Sequence, residues 1–111
     1  MAREQFQNLT EPMYYILISL LNERCGVDIM ASVEEISKGR IRVGPGTLYA
    51  LLGKFEKEKI IRETEVIGRK RSYIITEKGM EILKKEFERL KILVDDGERF
   101  LGGQIYDNRK Y

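Results

Sequence analysis

The chain has 111 residues, 42% of them hydrophobic and 34% charged, with a formal net charge of +2. That length suits one domain and leaves no room for a second. One cysteine, Cys25, and no histidine exclude an intrachain disulfide, disfavour a zinc site of nitrogen and sulfur ligands, and remove the commonest general base.

No paired-carboxylate pattern stands out either, so no enzyme, metal or cofactor is expected. The longest apolar stretch, Met13 to Leu21, is interrupted by Ser19 and is too short to span a bilayer. The opening "MAREQFQN" has no apolar core of a signal peptide, which makes the cytoplasm the expected location. Charge is unevenly spread. Residues 38–73 hold ten Lys or Arg against four acids, a balance of +6, and the remainder carries −4. A basic middle between acidic flanks fits a face that meets a polyanion.

Residues 1–9 are polar and expected to be flexible. Thr10 is a good N-cap and Pro12 suits a first turn, so a helix is predicted from about Glu11 to Arg24, ended by Gly26. Met13, Ile16, Leu17, Leu20 and Leu21 make its core face. A second helix is predicted over about Val27 to Ser37, with Ile29, Met30, Val33 and Ile36 on one side and Gly39 as its C-terminal glycine. After the extended "RIRV", a third helix should run from about Pro45 to Lys57. Its inward residues are Leu48, Leu51, Leu52 and Phe55, and Tyr49, Gly53, Lys54 and Lys57 are left outside.

"IIRETEVI" and "RSYIIT" are β-prone runs separated by "GRK" and read as a hairpin with the basic tip Arg69-Lys70-Arg71. Thr76 caps a long last helix, predicted from about Glu77 to Phe100. Met80, Leu83, Phe87, Leu90, Val94 and Leu101 follow a heptad stripe along it, longer than three short helices can cover. A second copy of the chain is the expected partner for that stripe, with Met80, Leu83, Phe87, Leu90 and Val94 at the dimer interface. The tail, residues 102–111, is expected to be loose.

"RIRVGPGTLYALLGKFEKEKII" raises three enzymatic alternatives for its glycines, and each fails. A P-loop needs a lysine directly after its last glycine, but Thr47 follows Gly46. A dinucleotide fingerprint needs a glycine where Tyr49 stands, and a nucleophile elbow needs a serine where Pro45 stands. What remains is a helix start with little side-chain bulk, able to approach a phosphate or base edge closely. The order of helix, helix, basic connector, bare-tipped helix and basic hairpin is that of a winged helix-turn-helix. The expected fold is therefore mainly α with a small β-hairpin wing, a DNA-binding domain over residues 10–76 and a dimerisation helix over 77–101.

"LTEPMYYILISLL" at 9–21, "GPGTLYALLGKFEKEKII" at 44–61 and "RKRSYIITEKG" at 69–79 resemble the PadR family of bacterial and archaeal transcriptional regulators. The resemblance covers about residues 9–100, and the single last helix is similar to the smaller PadR-like subfamily. It implies a homodimer that represses transcription, with small aromatic or amphipathic effectors binding at or near the dimer contact in some members. It also implies that Thr47 and Tyr49 lie near DNA and that Arg69, Lys70 and Arg71 form a basic wing. Three departures stand out: Gly26-Val27 where members commonly have Gly-Tyr, Lys59 where many have glycine, and no tryptophan for an aromatic-sandwich pocket.

The candidate DNA-binding residues are thus Gly46, Thr47, Tyr49, Lys54, Arg69, Lys70 and Arg71. Thr47 serves either as a helix-start residue or as a DNA contact, and Tyr49 either as half-buried core or as a phosphate or base contact. Two functions are compatible with the residues. One is a dimeric regulator on double-stranded DNA. The other is a winged-helix module whose basic face docks an acidic protein partner.

Overall fold

A computed structural model of the chain describes residues 8–108, with side chains placed through residue 102. The elements, in order, are α1 (Glu11–Ser19), β1 (Arg24–Cys25), α2 (Gly26–Ile36), α3 (Pro45–Lys57), β2 (Ile61–Ile67), β3 (Lys70–Ile75) and α4 (Glu77–Asn108). The three strands form one antiparallel sheet in the order β1-β3-β2. Helices α1, α2 and α3 enclose a core of Ile16, Leu17, Leu20, Ile29, Val33, Leu48, Leu52 and Phe55. The hairpin closes it from one side with Ile60, Ile61 and Tyr73.

Thr10 caps α1, its hydroxyl accepting from the Met13 N–H at 3.3 Å. The helix stops at Ser19, five residues before the expected end. Arg24 Nε donates to the Ser19 carbonyl at 2.8 Å, and the Leu20 carbonyl accepts from Ile75 N–H at 2.9 Å. The end of α1 is therefore bound to the sheet, which leaves Leu21 exposed. Arg24 and Cys25 become a strand, pairing with Tyr73 and Ser72. Gly26 does not end α1; it is the first residue of α2.

Both α2 and α3 end in the same way. At α2, Gly39 N–H reaches the Glu34 carbonyl (2.8 Å) and Lys38 N–H the Glu35 carbonyl (3.1 Å). At α3, Ile60 N–H reaches Phe55 (2.8 Å) and Lys59 N–H reaches Glu56 (3.0 Å). These are Schellman pairs, which place one residue in the left-handed region. Lysine occupies that place both times, Lys38 at φ 56° and Lys59 at φ 63°, and Gly39 follows at φ 82°. A side chain there is strained by about 1 kcal/mol. Lys59→Gly is accordingly expected to raise the melting temperature by about 4 °C, measurable by thermal denaturation.

Strands β2 and β3 join through the two residues Gly68 and Arg69, with Ile67 paired to Lys70. Gly68 sits at φ 61°, the left-handed conformation that tight hairpin turns require. A bulge at Thr64 breaks the alternation, and Thr64 hydrogen-bonds Glu23.

Helix α4 begins at the Thr76 cap, whose hydroxyl accepts from Gly79 N–H at 3.1 Å. It continues through Asn108, past the expected end near residue 101. Gly102 and Gly103 each cost a helix about 1 kcal/mol against alanine, yet the helix runs through them. Residues 109–111 and 1–7 lie outside the described residues; Leu9, expected in a flexible start, is 8% exposed and belongs to the core. Among the described residues no helix is long and apolar enough to cross a membrane.

The expected dimer stripe divides along α4. Leu83 is 7% exposed and is taken up by its own chain's core rather than left for a partner, because the first turns of α4 cover α1 and the sheet. Met80 and Leu90 are half-buried, and Phe87 and Val94 are exposed. Beyond Leu90 the domain ends but the apolar residues do not: Ile92, Leu93, Val94, Phe100 and Leu101 all face solvent.

Candidate nucleic-acid interface

Helix α3 presents a bare strip. Gly44, its N-cap, contributes no side-chain hydrogen bond, and Pro45 has no N–H to satisfy. With Leu48, Leu52 and Phe55 buried, helical spacing turns Gly46, Ala50, Gly53 and Lys57 farthest outward, and all four are exposed. A Cβ added at Gly46 or Gly53 would meet nothing within 4 Å, and neither residue has a positive φ. Each glycine costs the helix about 1 kcal/mol against alanine with no packing or backbone reason inside the chain. A surface that must admit another molecule to backbone distance supplies such a reason.

Thr47 and Lys54 flank the strip on one side, Tyr49 and Glu56 on the side of the wing, and all are exposed. Between α3 and the wing runs a groove lined by Tyr49, Leu52, Gly53, Glu56, Arg69, Arg71 and Tyr73. Tyr49 is half exposed, and its hydroxyl end lies over Gly26, where an added Cβ would collide with it. The glycine at the start of α2 thus makes room for a side chain of α3. Burial, aided by the charge of Glu56, pushes the Tyr73 phenol above its ordinary pKa and keeps it protonated.

The basic tip is spread over two elements. Arg69 occupies the turn, and Lys70 and Arg71 stand in β3. Arg71 reaches across the hairpin, with Nη1 3.4 Å from Glu63 Oε2 of β2. Arg40, one of the cations of the basic middle, does not join this face. It bonds Glu11 at 3.2 Å and the Tyr15 hydroxyl at 2.7 Å, tying the α2–α3 connector to α1. Arg42 pairs with Glu34 at 3.3 Å. The groove residues Leu52, Gly53, Glu56 and Tyr73 are not among the candidates from the sequence. Only Gly53 left a signal there, as a second unexplained glycine seven residues after Gly46. Among the described residues no three His, Cys, Asp or Glu side chains are grouped to hold a metal ion.

Two helices joined by the connector 37–44, with a hairpin beside the second of them, make a winged helix-turn-helix, a DNA-binding architecture. Residues 16–85 match the transcriptional regulator PadR-like family, and the chain belongs to it. Its fold is similar to a transcriptional regulator from Clostridium thermocellum, at 21% identity and TM-score 0.69, covering 82% of this chain and 94% of that one. A PadR family transcriptional regulator from Eggerthella lenta gives 19% identity and TM-score 0.69 over 89% of this chain and 83% of its own. RosR of H. salinarum gives 25% identity and TM-score 0.65 over 93% and 96%. A 37.1 kDa protein of unknown function in a Streptomyces fradiae transposon is 38% identical over 61 residues, which are 55% of this chain and only 17% of that protein.

Proposed function

We propose that the chain acts as a homodimer on double-stranded DNA, binding an inverted-repeat operator and repressing transcription in the cytoplasm. In this reading α3 enters the major groove tip first, Thr47, Tyr49 and Lys54 contact base edges or phosphates, and the wing lies along the neighbouring backbone. The observation that carries it is the outward strip of α3, bare at Gly46 and Gly53, with Lys57 at its far end and Lys54 beside it. The exposed apolar face of α4, including Phe87, Leu93, Val94 and Leu101, supports pairing with a second copy. The seam between two such helices is where a small aromatic or amphipathic effector would act.

A salt titration on duplex DNA tests this. Log affinity should fall linearly with log salt, and one sequence should survive competition by random duplex. Changing both Arg69 and Arg71 to alanine should weaken binding about tenfold or more and flatten the salt slope by about 1.8 for each wing seated on the backbone. Unchanged affinity removes the wing from the interface. A shallow slope with no preferred sequence favours an acidic protein partner instead.

A further inference from the structure

The two strands of the wing pair out of step. Glu63 stands opposite Tyr73, and a regular ladder would then set Glu65 opposite Arg71. The bulge at Thr64 shifts the pairing by one residue, so Glu65 meets Ser72 and Arg71 faces Val66. Tyr73 and Arg71, two residues apart in β3, share the face of the hairpin that lines the groove beside α3. With no carboxylate directly opposite, Arg71 pairs with Glu63, its diagonal neighbour on that face, Nη1 to Oε2 at 3.4 Å. The guanidinium is thereby drawn away from the turn, where Arg69 sits, toward the base of the hairpin.

Stability alone gives little reason for a carboxylate at Glu63. The side chain is half-buried, its Oε2 is closed off from solvent, and among the described residues that oxygen accepts no hydrogen bond. Taking a carboxylate out of water in this way is unfavourable, and one ion pair to an arginine side chain that is 60% exposed offsets it only weakly. A negative charge beside a surface that meets DNA also repels phosphates. What Glu63 does supply is a fixed partner for a long, rotamer-rich cation. A freely turning arginine loses that freedom when it grips a phosphate, and one already held loses less. The guanidinium carries five N–H donors, more than Glu63 can use, so the held arginine can still take a phosphate.

We infer that Glu63 is a positioning residue which pre-orients Arg71 toward a backbone phosphate at the mouth of the groove between α3 and the wing. This rests on the DNA-binding reading above. The full wild-type chain first selects its preferred duplex from a random library. Affinity for that duplex is then measured over a range of salt, well below the melting transition, for wild type, Glu63→Gln, Arg71→Ala and the double variant. Glu63→Gln removes a negative charge from the DNA face, so charge alone predicts tighter binding. Pre-orientation predicts the reverse: binding weaker by about threefold or more, with a salt slope shallower by up to about 0.9 for each wing. In the Arg71→Ala background nothing is left to orient, and Glu63→Gln should tighten binding by about twofold. A residue that merely supports the hairpin would not give this change of sign.

Binding by Glu63→Gln that equals or exceeds wild type overturns the inference and leaves the DNA reading intact. An equal loss in both backgrounds also overturns it, because Glu63 would then act without Arg71, and so does wild-type affinity for Arg71→Ala. Should Glu63→Gln not fold, Glu63→Thr, which suits a strand, makes the same comparison. A wild-type chain that selects no duplex at all sinks the DNA reading itself, and the inference with it.

Discussion

Gly79→Ala should destabilise the protein by about 3 kcal/mol or more, and lower its melting temperature by about 10 °C or more. A Cβ at that position would run into the main-chain carbonyl oxygen of Ile60 and stand 2.6 Å from Ile75 Cγ1. That oxygen cannot step aside, since it accepts from Thr76 N–H at 3.0 Å and from Thr76 Oγ1 at 2.9 Å. Relief requires α4 to move off the junction of α3 and β2, which also breaks the Thr76 cap, itself worth about 1 kcal/mol. Against a total stability of about 5–15 kcal/mol such a loss is severe. Gly53→Ala is the control: its Cβ enters open space, and it should stabilise by up to about 1 kcal/mol. Urea unfolding of both variants checks the contrast, and a loss under about 1 kcal/mol for Gly79→Ala would falsify the close approach.

The contrast also marks what a sequence reveals of such a fold. Helix α3 is legible from end to end, Pro45 to Lys57, because a Gly-Pro start, the 48/52/55 apolar spacing and the lysines at its end are all local signals. The hairpin is legible from its turn. Strand β1 is not, since Arg24 and Cys25 are a strand only by virtue of pairing with Tyr73 and Ser72, some fifty residues away. Gly26 and Gly79 look like ordinary helix-end or helix-interior glycines until Tyr49 and Ile60 are seen beside them.

Periodicity finds the apolar stripe of α4 without saying where the domain stops covering it, so Leu83 and Phe87 look alike although one is core and the other exposed. A heptad scan likewise passes over Glu86, a carboxylate in an otherwise apolar row, because no local signal shows that the fold buries it. Charge counting places Arg40 and Arg71 in one basic segment, yet one is bound to α1 and the other stands on the wing. Charge can be summed from a sequence; which face carries it depends on tertiary contacts.

Gly53→Leu should make the protein more stable and a worse DNA binder at the same time. The new side chain meets no neighbour within 4 Å of its Cβ, and leucine is favoured over glycine in a helix by about 1 kcal/mol, so the melting temperature should rise by about 4 °C. The same side chain would stand on the outward strip between Ala50 and Lys57, holding the helix away from any surface it approaches. Hydrogen bonds to base edges weaken steeply beyond about 3.5 Å, so lifting the helix by one side chain should remove sequence discrimination. The wing, Lys54 and Lys57 still reach the phosphates from that distance, and salt-dependent, sequence-independent binding should persist. Competition gel shifts with random duplex, set beside thermal melts, separate the two effects; Gly46→Leu, at the tip of the same strip, should behave alike. Opposite signs for stability and selective affinity are what a contact surface gives, because glycines kept for internal packing lose both when filled. If Gly53→Leu holds its preferred sequence against competitor as wild type does, α3 does not approach DNA along this strip, and the case for the strip as the reading surface falls with it.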